Sequence, residues 1–294
     1  MKKYAIVTDS SCDLSKEFRQ THGIDYAKMM LSWNKNGQMV DIPSSLDWDI
    51  VSAKEFYDIL RGGTRIYTAL VTAQEFLNVF EPHLEKGEDV LYIACSSGLS
   101  ATLNTARLLA ENELKEKYPK QRVVVVDSMR AGMALGLIIM KAVELQEEGK
   151  SLDEVVAFVE EEKLHYKEVG IPENLSYLRR AGRVSAAPAF FGNMVSLKPI
   201  LVFDEKGSNI AVKKAIGRKN AFKEMANMIK EDIVDPENQE IYLMHADCDQ
   251  VTIDMFSKAV KDLVPVKNII VQELGPIIGA SSGPGTIIVN YKGK

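Results

Sequence analysis

The sequence predicts an α/β protein of two domains, with an N-terminal, mostly parallel sheet flanked by helices and a C-terminal α+β domain. Three observations predict it. Strand and helix signals alternate through the first half, as in a parallel sheet covered by helices. The strand segments there are apolar runs without alternation, which fits burial on both faces. Near Tyr166 the alternation gives way to a hairpin and mixed elements. The domains are therefore placed at 1–166 and 167–294, with the last segment as a candidate to pack back on the first domain.

Residues 4–8 form a β-branched run, followed by polar TDSSCD. A helix runs from Leu14 to about Gly23, a C′ glycine. Residues 24–32 read as one strand. Ser52 and Glu55 in SAKE have the spacing of a capping box for a helix ending at Gly62-Gly63. Thr72 and Glu75 in TAQE repeat it for a helix to about Lys86. Residues 90–95 are an apolar strand running into one long helix that stops before Pro119. The valines of residues 122–126 make a strand, and residues 127–149 a largely buried helix. Ser151 and Glu154 give a third capping box, for a helix to about His165. In the second half, residues 168–171 read as a strand and 172–181 as a short helix ended by Gly182. Residues 199–203 and 210–215 form a hairpin across DEKGS. Helices at 219–234 and 252–263 alternate with strands at 240–245 and 267–273.

Composition narrows the function. The chain has 294 residues, 46% hydrophobic and 26% charged, with a net charge of −5. That balance is ordinary for a globular protein and a poor match to nucleic acid or an anionic membrane surface. The cysteines Cys12, Cys95 and Cys248 are odd in number and lie far apart, without a CxxC, which argues against a disulfide framework or zinc and fits a reducing cytoplasm. The apolar start stops at Asp9, too short for a signal peptide. The longest apolar stretch, 131–143, is interrupted by Lys141 and too short to span a bilayer.

Three first-half strands end in small polar groups: Thr8-Asp9-Ser10-Ser11, Ser96-Ser97-Gly98 and Asp127-Ser128. In a parallel sheet these ends share one edge, where ligands bind. Helix starts there suit an anion, and small hydroxyls donate to a carboxylate or phosphate without filling a cleft. Each group taken singly reads as a helix cap. GxGxxG, GxxxxGK[ST] and HExxH are all missing, so neither nucleotide binding nor a zinc hydrolase has a motif. Ser281-Ser282-Gly283-Pro284-Gly285 reads as a turn. Among the histidines, His245 at a strand end is the one to test. Residues 186–195, with Ala187, Phe190, Phe191 and Met194, combine small residues with Phe and Met as an adaptable apolar tunnel does, although ordinary core has the same composition. Arg179, Arg180 and Arg183 precede that stretch and either form a solvated face or steer an acidic group or partner.

In order along the chain, TDSSCDL (8–14), SSGLSATLNTA (96–106), DSMRAGMALG (127–136), NLSYLRRAGRVS (174–185), SLKPIL (196–201) and GPIIGASSGPGTI (275–287) resemble the DegV family. Each motif is modest, and the ordered set spans nearly the whole chain. The resemblance implies a two-domain α/β protein that buries a long fatty-acid chain in the second domain, with the carboxylate at the domain junction. Some members of that family are the binding subunits of bacterial fatty acid kinases, in which a separate kinase subunit phosphorylates the bound acid. It therefore implies a fatty acid as ligand, no cofactor, a kinase partner and no catalytic residue of this chain's own.

Carried over by position, the carboxylate contacts are Thr68, Ser96 and Ser97, helped by a helix start after Ser97, together with Ser281. Together with this resemblance, the apolar stretch noted above makes Ala187, Phe190, Phe191 and Met194 the expected lining of the acyl pocket. The sequence departs from the family pattern at TALVT (68–72), where a Thr-Ser-Gln-Pro-Ser-like segment is typical, and at Ala280-Ser281, where Thr-His is frequent. A serine there hydrogen-bonds a carboxylate but supplies no imidazole. The rival from another class is an enzyme acting on a small phosphorylated or carboxylated metabolite at the strand edge, with Asp9 and Asp127 as acid and base.

Overall fold

The structure, a computed structural model, describes residues 3–185 and 197–294. Among these, the chain divides into two units. One comprises the chain up to Ile50 with Ile66–Leu164, and the other Val51–Arg65 with His165–Lys294. The first unit is thus interrupted by a helical excursion that the expected 1–166 boundary did not contain.

The first unit opens with β1 (Tyr4–Asp9) and α1 (Lys16–His22). Ser15 caps α1 by accepting from Phe18 N–H, and Gly23 ends it in the left-handed region. The stretch read as one strand, 24–32, is two: β2 (Asp25–Ala27) and β3 (Met30–Lys35), which belong to different sheets. The corner is made by side chains far away in sequence. Lys28 N–H donates to Glu75 at 2.9 Å and Met29 N–H to Ser10 Oγ at 3.0 Å, so neither amide continues a ladder. β4 (Gln38–Pro43) then pairs with β3 as an antiparallel hairpin.

The chain leaves this unit for α2 (Ala53–Arg61) and returns at β5 (Tyr67–Ala69), which flanks β3 on its other side. α3 (Ala73–Glu85) and β6 (Asp89–Ala94) follow. The long helix expected after Ser97 begins only at Thr102: α4 (Thr102–Leu109) passes through a π-helical turn at Ala110–Leu114 into α5 (Lys115–Lys117). β7 (Val123–Asp127), the buried α6 (Gly132–Glu147) and α7 (Leu152–Glu162) complete the unit. The main sheet, in the order β2-β1-β6-β7, is parallel throughout. β6 is buried along its whole length, and the rings of Phe76 and Phe80 pack on Tyr92 at 5.1 and 5.7 Å. Gly136 on α6 lies so close to the β1–α1 loop that a Cβ would stand 2.7 Å from Cys12 O.

The second unit contains α2, β8 (Tyr166–Ile171), α8 (Ser176–Ala181), β9 (Val184–Ser185), β10 (Leu197–Phe203) and β11 (Asn209–Ile216). It continues with α9 (Arg218–Asp232), β12 (Glu240–His245), α10 (Gln250–Lys261), β13 (Asn268–Glu273), α11 (Pro276–Ser282) and β14 (Ile287–Lys292). The hairpin expected across DEKGS is β10–β11. The mixed sheet runs β13-β12-β14-β8-β10-β11-β9. The last segment, a candidate to pack on the first domain, places β14 between β12 and β8 of this unit's own sheet. Alternate residues of β8, β12 and β14 meet α9 and α10 in one core, where Phe222 and Phe256 stack edge to face at 5.1 Å. Residues two apart on a strand point to the same face, which is how the sheet presents that face to the helices.

Candidate functional site

Because β1, β6 and β7 run parallel, Asp9, the Cys95–Ser97 turn and Asp127 emerge at one edge of the main sheet. Asp9 is fully buried. One carboxylate oxygen accepts from Ser11 N–H at 3.0 Å and Ser11 Oγ–H at 2.6 Å. The other accepts from Tyr92 Oη–H at 2.8 Å and Cys95 N–H at 2.9 Å. Four donors occupy the carboxylate and tie β1 to β6. Burial, and then the Asp9 charge, push the Tyr92 phenol well above its ordinary pKa. Thr8 Oγ1–H donates to Ile93 O, and Ser10 Oγ accepts from Met29 N–H. The TDSS segment is therefore a buried scaffold.

Ser96 is also buried. Its N–H donates to Arg130 O at 2.8 Å, and its Oγ accepts from Gly98 N–H at 3.1 Å. Ser97 is exposed, and its N–H donates to Asp127 Oδ1 at 3.2 Å, which also accepts from Met129 N–H at 2.9 Å. Ser128 Oγ lies 2.6 Å from Ala94 O and accepts from Arg130 N–H. The Arg130 guanidinium donates to the carbonyls of Met129 and Leu164. Side chains thus fold the ends of β6 and β7 into two interlocked turns that leave the Ser97 hydroxyl at the surface. The expected helix start directly after Ser97 is not there. Leu99 and Ser100 N–H both bond back to Ser96 O, and α4 starts five residues on, without a side-chain cap.

Thr68 sits on β5 directly opposite Leu31. The two share the face of the small sheet that carries Trp33, while Tyr67 is on the other, exposed face. Three residues later Val71 N–H reaches Thr102 Oγ1 at 3.4 Å, linking the Thr68 segment to the first residue of α4.

In the second unit Ser281 is half-buried on α11, between buried Ala280 and buried Ser282, whose Oγ–H donates to Ile278 O. The glycines around it serve packing. A Cβ on Gly279 would stand 2.4 Å from Tyr57 Oη, which donates to Leu274 O at 2.8 Å. Gly283 (φ 81°) lies against the Tyr177 ring and Gly285 (φ 79°) against Glu173. The stretch read as one turn is therefore two things: Ser281 and Ser282 close α11, and only Gly283-Pro284-Gly285 makes a close-packed turn after it.

Arg179 and Arg180 are exposed and Arg183 is half-buried. The Arg180 guanidinium lies over the Tyr177 ring at 4.8 Å, a cation–π contact, and Arg183 donates to Ala181 O. The proposed acyl-pocket residues Ala187, Phe190, Phe191 and Met194 lie outside the described residues. Half-buried His245 accepts from Cys248 N–H at Nδ1, and burial holds its pKa below the ordinary value, which favours the neutral ring. Burial pushes the Cys248 thiol up to about 12, so it is no thiolate nucleophile at neutral pH. A cleft of about 300 Å³ nearby is crossed by ion pairs, Arg61 with Asp247 and Arg218 with Glu173.

Among the described residues, no group of His, Cys, Asp and Glu has the arrangement of a metal site, and no helix is long and apolar enough to cross a membrane. Sequence reasoning marked Asp9 but missed its partners Tyr92 and Cys95. It also missed Trp33, whose alternation with Leu31 was the one available signal.

Fold and edge define a class: a two-unit α/β protein whose parallel sheet ends in a hydroxyl-bearing, side-chain-stapled edge. The sequence model described as "Uncharacterised protein, DegV family" matches residues 3–292, and the chain belongs to the DegV family. A DegV domain-containing protein of Clostridium perfringens is 34% identical over 296 residues, covering 100% of this chain and 98% of the relative. Two solved structures are similar. One reports fatty acid binding of a DegV family protein from Thermus thermophilus, with 28% identity, TM-score 0.84, and 99% and 100% of the two chains covered. The other is a DegV lipid-binding protein from Thermotoga maritima, with 26% identity, TM-score 0.82, and 99% and 98% covered.

Proposed function

We propose that this protein binds a long-chain fatty acid and presents its carboxylate to a separate kinase. The observation that carries the reading is the likeness, along whole chains, to the fatty-acid-binding protein of Thermus thermophilus. In this proposal the Ser97 and Thr68 hydroxyls donate to the carboxylate, Ser96 shapes the turn beneath it, and Ser281 is a further hydroxyl contact. Ala187, Phe190, Phe191 and Met194 line the acyl chain, and Arg179, Arg180 and Arg183 face the partner. Burying each methylene contributes about 0.8 kcal/mol, so few polar contacts are needed for tight binding.

The metabolite-enzyme alternative draws less support. The Asp9 carboxylate is buried and occupied by four donors, a poor arrangement for a group that must exchange protons with a substrate.

Native mass spectrometry of the purified protein, followed by denaturation and extraction, tests the reading. An adduct of fatty-acid mass released on unfolding is expected. A clean apo mass that takes up no added palmitate overturns it. The kinase role has its own test: a fatty acid kinase subunit with ATP should form acyl phosphate only when the loaded protein is present.

A further inference from the structure

Trp33 is 5% exposed, and its indole Nε1 is one of the few buried polar atoms without a hydrogen-bond partner among the described residues. A buried N–H without an acceptor is rare in folded proteins and disfavoured. The register says which face it occupies. Leu31 stands opposite both Ile42 and Thr68, and Trp33 opposite Val40, so Leu31, Trp33, Val40, Ile42 and Thr68 share one face of the three-stranded sheet. That face is the buried one, since Met39, Asp41 and Tyr67 on the other are exposed. Trp33 is the diagonal neighbour of Thr68 across β3 and β5, a relation that spans about 7–8 Å and is within reach of a large aromatic side chain.

We propose that the Trp33 indole N–H is a contact for the ligand's head group, donating to an acceptor oxygen on the face that carries Thr68. The proposal rests on the fatty-acid reading and deepens it. Indole is a donor only, and it does not titrate in the physiological range. It therefore selects a head group with a free acceptor, such as a carboxylate, and gives nothing to a donor-only ammonium. The apolar neighbours Leu31, Val40 and Ile42 exclude competing water.

The test uses the full chain with ¹⁵N-labelled indoles, the two tryptophan signals being assigned with Trp48→Phe. Palmitate, with its uptake verified by native mass spectrometry, should move the Trp33 indole proton downfield and slow its exchange with solvent. Hexadecylamine should leave that signal near its apo position. Trp33→Phe should weaken palmitate binding about tenfold, the loss of one hydrogen bond to a charged group. Should that variant fail to fold, the spectra of the unmodified residue still decide. An unmoved Trp33 signal in palmitate-loaded protein overturns this inference and leaves the fatty-acid reading standing. An equal downfield shift with the amine overturns it too, since the effect then comes from the chain. No palmitate uptake at all overturns both.

Discussion

At the scale of single residues, the most conspicuous polar group at the sheet edge is there to hold the edge together. Asp9 ends β1, and its four donors come from residues 2, 83 and 86 positions away. Asp9→Ala strands those donors in the interior, where each unmet one costs about 1–3 kcal/mol. Urea denaturation should show a loss of about 3 kcal/mol or more, and a loss below about 1 kcal/mol would contradict the tie between β1 and β6. The two hydroxyls proposed to face the ligand should behave oppositely. Ser97→Ala with Thr68→Ala should leave the urea midpoint nearly unchanged yet weaken palmitate binding at least tenfold, and equal affinity in a titration removes both from the head-group site. The aspartate and serines stood out in the sequence as strand ends, but their division of labour did not. A staple is defined by its partners, and Tyr92 and Cys95 carry no local mark of reaching Asp9. Of SSGPG, only Gly283-Pro284-Gly285 is the turn that the sequence suggested, Ser281 and Ser282 closing α11, and the reason for its glycines, the Tyr177 and Glu173 side chains, lies in tertiary packing.

At the scale of elements, the three capping boxes show how far local grammar carries. Ser52, Thr72 and Ser151 each accept the expected backbone N–H. Of the three, only Ser151 also makes the return bond, its own N–H donating to the Glu154 carboxylate. Glu75, the partner of Thr72, turns instead to Lys28 N–H, at the corner where one predicted strand became two. Ser151→Ala should therefore destabilise the first unit by about 1 kcal/mol in chemical denaturation, whereas Glu75→Ala should chiefly speed amide exchange at Lys28. The boundary between β2 and β3 was illegible because its two determining side chains sit on other elements. His83, on α3, joins elements through charge. The hydrogen bond that its Nε2–H donates to Asp25 on β2, with Glu88 accepting from the other ring nitrogen, raises its pKa against the opposing effect of burial. The folded pKa lies above the unfolded value of about 6.5, so this stabilisation is present in full below that value and is lost as pH rises through the folded pKa. The stability gap between the protein and His83→Gln should be wider at pH 5.5 than at pH 8.5, and a gap independent of pH would discard the ion-pair account.

At the scale of the whole molecule, a ligand that binds only the folded state raises stability by about 2.7 kcal/mol at a hundredfold excess over its Kd. Palmitate should therefore raise the thermal midpoint in a concentration-dependent way, and hexadecane, which lacks a head group, should raise it less. Equal shifts would mean that the polar end contributes nothing. The parallel sheet, the buried α6 and the β10–β11 hairpin were legible because each rests on runs of adjacent residues. The membership of α2 was not, since nothing in AKEFYDILR says that its buried face belongs with residues far downstream. That membership bears on synthesis. Tyr57 bonds to a carbonyl 217 residues further along the chain. At ribosomal rates of about 5–20 residues per second, α2 waits on the order of 10–40 s for this partner to be made. Through that interval Phe56, Tyr57 and Leu60, all buried in the finished protein, are an apolar stripe open to nascent-chain chaperones. An N-terminal fragment cut near residue 165 would keep that stripe unmatched for good, so the two units are not separable by dividing the gene at a single point.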